Sequence, residues 1–68
     1  MPVAHITLLE GRSKEAKAKM ASEVAESISK HSGAPMAAVT VIFHDVPPDN
    51  WASGGVLFSD KQVAASGS

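Results

Sequence analysis

The eight residues VTVIFHDV, Val39 to Val46, decide how this chain folds. β-branched side chains and a phenylalanine dominate the run, and Pro47-Pro48 closes it, which marks a strand. A period of two puts Val39, Val41 and Phe43 on one face and Thr40, Ile42 and His44 on the other. His44 and Asp45 are neighbours along the strand and point to opposite faces, which argues against a catalytic dyad. Working back to the N-terminus, a second strand is predicted over Val3 to Leu9, VAHITLL, between Pro2 and the Glu10-Gly11 break. One of its faces, Ala4, Ile6 and Leu8, is wholly apolar. The other, Val3, His5, Thr7 and Leu9, is mixed.

The stretch between the two strands is predicted as a helix from Ser13 to about Ser32. Ser13 can cap it, and Glu15 lies in the first turn, where negative charge suits the helix dipole. Ala16, Met20, Val24 and Ile28 recur every four residues as an apolar stripe, widened by Ala21 and Ala25. Lys14, Lys17, Lys19, Glu23, Glu26 and Lys30 fall mostly on the other side. Lys30 and His31 suit the C-terminal end, Gly33 suits a left-handed cap, and Pro35 follows.

Strand, helix and strand make a β-α-β unit, whose two strands run parallel. Parallel strands need cover on both faces, and one helix covers one face only. Thr7, Leu9 and Ile42 would stay bare in a single copy, so an oligomer is expected. Beyond the second strand, PPDNWASGG reads as a loop in which Gly54-Gly55 permits a turn with positive φ. Val56 to Phe58 then supplies a short hairpin strand. Residues 59–68, ending in AASGS, are expected to fray. The expected fold is α/β: a small β-α-β subunit with parallel strands and a C-terminal hairpin, assembled into an oligomer.

Size points the same way. The chain has 68 residues, enough for one domain that buries only roughly 60% of its unfolded surface. Domains this small usually gain stability from disulfides, a metal or self-association. Cysteine is absent, which excludes disulfides and thiolate metal sites. The formal net charge is −1 and no basic block occurs, so neither nucleic acid nor an anionic membrane is an expected partner. No apolar run approaches the roughly 20 residues of a membrane span. No secretion signal is recognised at the N-terminus, so a cytoplasmic protein is the expectation.

Pro2 is the residue with the most chemical potential. Inside a chain its nitrogen is an amide with no basic lone pair. Once Met1 is excised, which small second residues permit, it becomes a rigid secondary amine. A free α-amino group titrates near about pH 8. An apolar pocket and a nearby cation both lower that value toward neutrality, where a base for proton abstraction beside a carbonyl works best. By position alone Pro2 is an ordinary strand-edge residue. Arg12, at the strand-to-helix junction, carries a planar fork that can clamp a carboxylate in two parallel hydrogen bonds. By itself it also reads as a solvated surface arginine.

Taken together, MPVAHITLLEGRS, the long helix, VTVIFHDV and NWASGG resemble the 4-oxalocrotonate tautomerase family. The resemblance runs from about residue 2 to residue 58 without a gap. Pro2, the EGRS junction and the Gly54-Gly55 turn carry it most specifically. It implies a single tautomerase-like domain over 1–68 and homohexamers built as trimers of dimers. It implies a cofactor-independent isomerase that moves a proton between keto and enol forms of a small 2-hydroxy or 2-keto acid. In that comparison Pro2 is the general base, and Arg12 binds substrate carboxylate from a neighbouring subunit. Trp51 corresponds to a pocket-lining aromatic, and Leu9 and Thr40 occupy further pocket positions.

Two of those positions depart from better-known relatives. Where they carry a second arginine in the second strand, this chain has Thr40. A hydroxyl donates one hydrogen bond and brings no charge, and losing a charged donor aimed at the transition state can cost on the order of 3 kcal/mol. A substrate with one carboxylate is therefore expected over a dicarboxylate. Dehalogenating relatives carry an extra arginine where this chain has Leu9. For hydration or dehalogenation, Asp45 and Asp49 remain as candidate water activators, and neither fits the pattern well. The other alternative is a non-catalytic oligomer that binds a ligand in the same pocket. No metal site is expected, because His5, His31 and His44 lack the spacing of zinc ligands. His5 reads as a surface histidine that shares a strand face with Val3.

Overall fold

The computed structural model describes residues 1–61. Strand β1 spans Val3–Leu9, helix α1 spans Lys14–Ser32 and strand β2 spans Thr40–Val46. Two very short strands follow, β3 at Ala52–Ser53 and β4 at Val56–Leu57. Short 3₁₀ turns at Met36–Ala38 and Pro48–Asn50 bracket β2.

β1 and β2 pair in parallel, with Val3 opposite Thr40 and Leu9 opposite Val46. Ala4, Ile6, Leu8, Val41 and Phe43 are half-buried, whereas Val3, His5, Thr7, Thr40, Ile42 and His44 are exposed. This is the alternation that a period of two dictates when one face is covered. β2 begins one residue later than the pattern predicts. Val39 instead closes the 3₁₀ turn, its N–H donating to the Met36 carbonyl at 3.1 Å.

Helix α1 ends where its caps place it. The Ser13 hydroxyl accepts from the Ala16 N–H at 3.1 Å, which satisfies one of the unpaired donors of the first turn. At the other end Gly33 adopts φ 83° and its N–H donates to the Ser29 carbonyl at 3.0 Å. Few residues other than glycine take that conformation cheaply. The stripe Ala16, Met20, Ala21, Val24 and Ile28 is half-buried, with Ala25 buried at its centre. Lys17 was expected on the solvent side. It turns instead to the sheet and pairs with Asp45 of β2, because its long stem can lie along apolar surface with its ammonium at the edge.

Among the described residues Ala25, 8% exposed, is the entire buried core. The radius of gyration is 15.9 Å, against about 11 Å for a compact chain of this length. Among the described residues the β1–β2 sheet has the helix on one face, and on the other Val3, His5, Thr7, Ile42 and His44 are exposed. The β3–β4 hairpin turns through Gly54 and Gly55, at φ 61° and 82°, and leaves Val56 and Leu57 exposed. A lone two-stranded hairpin is marginal in water. The expected fraying at the C-terminus lies, for 62–68, outside the described residues, while 58–61 take a helical turn.

Candidate active site

Pro2 sits immediately before β1 and continues its ladder. The Pro2 carbonyl accepts from the Thr40 N–H at 3.0 Å, so the first residues of the two strands are locked side by side. Pro2 is half-buried, whereas Met1 is 93% exposed. Removing Met1 would therefore disturb no packing and would uncover an amine whose backbone is already pinned. Thr40 is thus brought next to Pro2.

Leu9, Arg12 and Trp51 lie elsewhere. Leu9 is paired with Val46 at the far end of the sheet, and the Glu10 N–H donates to the Val46 carbonyl at 2.9 Å. Beyond it Gly11, at φ 122°, bends the chain toward the helix, and Arg12 projects exposed from that bend. Seven strand residues separate this end from Pro2, about 23 Å at 3.3 Å per residue. No arginine side chain spans that distance, so Pro2 and Arg12 of one chain cannot grip one small molecule. Trp51 follows the 3₁₀ turn after β2, is half-buried, and accepts from the Phe58 N–H at 2.6 Å through its carbonyl. That bond holds the base of the β3–β4 hairpin.

The sequence reading missed one cluster. His5 of β1 and His44 of β2 stack on the uncovered sheet face, with ring centroids 5.3 Å apart and planes inclined by 15°. His5 Nδ1 and His44 Nε2 are 3.0 Å apart. The pairing register puts Thr7 opposite His44, so the two histidines meet diagonally. The common parity of His5 and His44 was visible in the sequence, but parity does not fix register. Asp45 is held by Lys17 on the helix side, remote from this face. A shallow hollow on the helix, lined by Glu23, Glu26, Ser27, Lys30 and His31, shares no residue with Pro2, Thr40 or the histidine pair. No group of three or more metal-binding side chains gathers among the described residues, and no helix there is long and apolar enough to cross a membrane.

The sequence matches the tautomerase enzyme family over residues 2–61. It is 49% identical over 61 residues to a probable tautomerase of Lactococcus lactis, covering 90% of this chain and all of the relative. It is 46% identical over 56 residues to 2-hydroxymuconate tautomerase of Comamonas testosteroni, covering 82% and 89%. A heterohexameric 4-oxalocrotonate tautomerase of Chloroflexus aurantiacus superposes with a TM-score of 0.83 at 37% identity, covering 88% of this chain and 97% of its own.

Proposed function

The chain belongs to the tautomerase family, and on that premise we propose that it converts the enol of a small 2-hydroxy acid into the keto acid, with Pro2 as the base. After Met1 is removed, the Pro2 nitrogen takes the proton of the enol hydroxyl. The electrons shift along the conjugated system to make the carbonyl. The same nitrogen then returns the proton to carbon, so the reaction is an isomerisation without net consumption of anything.

The observation that carries this reading is the fixed start of β1. Pro2 is half-buried and its carbonyl is tied to Thr40, so a free amine there has one orientation. General-base catalysis depends on such placement before it depends on basicity. Self-association is the second half of the proposal. Arg12 stands about 23 Å along the strand from Pro2, so a complete site takes Arg12 from another copy. The bare sheet face and the near absence of a core supply the reason for copies to associate. A homohexamer, as a trimer of dimers, is the assembly we infer; the heterohexameric relative supports six subunits of this fold and not their identity.

Thr40 beside Pro2 narrows the substrate. A hydroxyl there offers a hydrogen bond and no charge, so the second carboxylate of a dicarboxylate would go ungripped. We infer a substrate with one carboxylate held by Arg12, and with Trp51 and Leu9 as apolar walls. The same threonine favours the second reading, a ligand-binding oligomer without turnover. Hydration or dehalogenation is less well supported, since Asp45 is engaged by Lys17 and Leu9 brings no charge.

The test is the rate of ketonisation of phenylenolpyruvate, followed by absorbance. Processed wild-type protein is expected to turn it over, and Pro2→Ala to lose about a hundredfold or more with its circular dichroism unchanged, the range a positioned base contributes. Equal rates for the two proteins would sink the catalytic proposal. Ligand binding without turnover in the wild type would install the second reading.

A further inference from the structure

Among the described residues, His5 and His44 are the only titratable side chains on the uncovered face of the β1–β2 sheet. That face also carries Val3, Thr7 and Leu9 from β1, and Thr40, Ile42 and Val46 from β2. Val3, His5, Thr7, Thr40, Ile42 and His44 are exposed on it, and the Lys17–Asp45 pair lies on the helix side. Among the described residues, no carboxylate on the face can compensate a positive charge there.

We propose that the His5–His44 pair makes self-association through this face depend on pH, holding the assembly at neutral pH and releasing it in mild acid. This rests on the self-association reading given above. The chemistry follows from the contact. Two ring nitrogens 3.0 Å apart form a hydrogen bond only while one carries a proton and the other offers a lone pair. Add a proton to the acceptor nitrogen and the bond becomes a clash of two N–H groups on two cations. In a free chain both rings are exposed and can swing into water. In an assembly this face lies between copies, beside Val3 and Ile42, where an unpaired charge is costly.

The sign is fixed by that asymmetry. Association favours the pair with fewer protons, and the dissociated chain binds more. Imidazole changes charge between pH 5 and 8, so association is strong at the upper end of that window and weakens as pH falls through it. Each imidazole proton that must be shed changes the dissociation constant by about tenfold per pH unit.

Sedimentation velocity of the full chain at pH 7.5 and pH 5.5 tests this, with wild type, His44→Gln and His5→Gln compared. Wild type is expected to assemble at pH 7.5 and to show at least a tenfold larger dissociation constant at pH 5.5. Each glutamine variant is expected to lose the part of that difference that the paired contact contributes, and the two substitutions together to lose most of it. A wild type equally assembled at both pH values overturns the histidine proposal and leaves self-association standing. A wild type that runs as single chains at pH 7.5 overturns self-association and the proposal with it. Variants that dissociate on acidification as the wild type does assign the effect to other groups and overturn the proposal. Dilution calorimetry of the wild type at pH 6 in two buffers of different ionisation enthalpy gives an answer even if neither variant assembles. Uptake of more than one proton per chain on dissociation supports the proposal, because the processed Pro2 amine can account for one at most, and uptake of one or none overturns it.

Discussion

The two faces of the β1–β2 sheet are built from the same two strands and have opposite fates. The face under α1 carries Ala4, Ile6, Leu8, Val41 and Phe43, all half-buried by the chain's own helix. The other carries Val3, His5, Thr7, Ile42 and His44, all exposed in one copy, with Val3 at 50%. The first face can contribute to the stability of a single chain. The second contributes only when something covers it. A β-α-β unit of this length has one helix to spend on two faces, and in the assembly we propose the difference is met by neighbours instead of by more chain. Placing Pro2 and Arg12 at opposite ends of β1 couples that assembly to chemistry, because the site we propose closes only between copies.

A charge on the bare face is the strongest way to break the comparison. Ile42→Glu would place an unpaired carboxylate between copies, a change that costs about 3–5 kcal/mol when a charge is buried without a partner. Sedimentation is expected to show single chains at micromolar concentration, and ketonisation is expected to fall at least a hundredfold with the loss of Arg12 from the neighbouring copy. If Ile42→Glu stays assembled and active, the copies meet elsewhere.

Truncation on the helix side sharpens the contrast with a smaller and different effect. Phe43 is half-buried against α1, so Phe43→Ala removes less than a fully buried ring, about 2 kcal/mol. Chemical denaturation at fixed concentration is expected to show that loss, while the assembly size at pH 7.5 stays that of the wild type. A variant that instead falls into single chains with unchanged chain stability would mean that the helix side also carries the association.

The fold was largely legible because each of its signals is local. Ser13, Gly33 and Gly54-Gly55 announce a cap, a stop and a turn by their own chemistry, and the parity of Val41, Phe43, Ala4, Ile6 and Leu8 announces a face. The uncovered sheet face could be read as well, from two parallel strands with one helix. Contacts across the sheet were not legible. Parity says that His5 and His44 share a side, but only the register that sets Val3 opposite Thr40 brings them within a hydrogen bond. Lys17 was misplaced for a related reason, since helical periodicity assigns charges to solvent and does not see an Asp45 waiting on the strand. The roles of Pro2, Arg12, Leu9, Thr40 and Trp51 came from resemblance to a family. Geometry within one chain unites only Pro2 with Thr40, because the rest of the site is spread over the far end.

The smallest expected effect concerns that ion pair, and it separates packing from chemistry on the covered face. The side chains of Lys17 and Asp45 are 26% and 35% exposed, so water screens them, and exposed pairs contribute typically about 0.2–1 kcal/mol. Asp45→Asn keeps the shape and removes the charge. Denaturation is expected to register a loss of that order, near the limit of measurement. The rate on phenylenolpyruvate is expected to be unchanged, since Asp45 faces the helix and takes no part in the proposed proton transfer. A drop in turnover of tenfold or more without a matching loss of stability would give Asp45 a role in the chemistry. Asp45 would then be the carboxylate that a hydrating enzyme needs, and the covered face would no longer be purely structural.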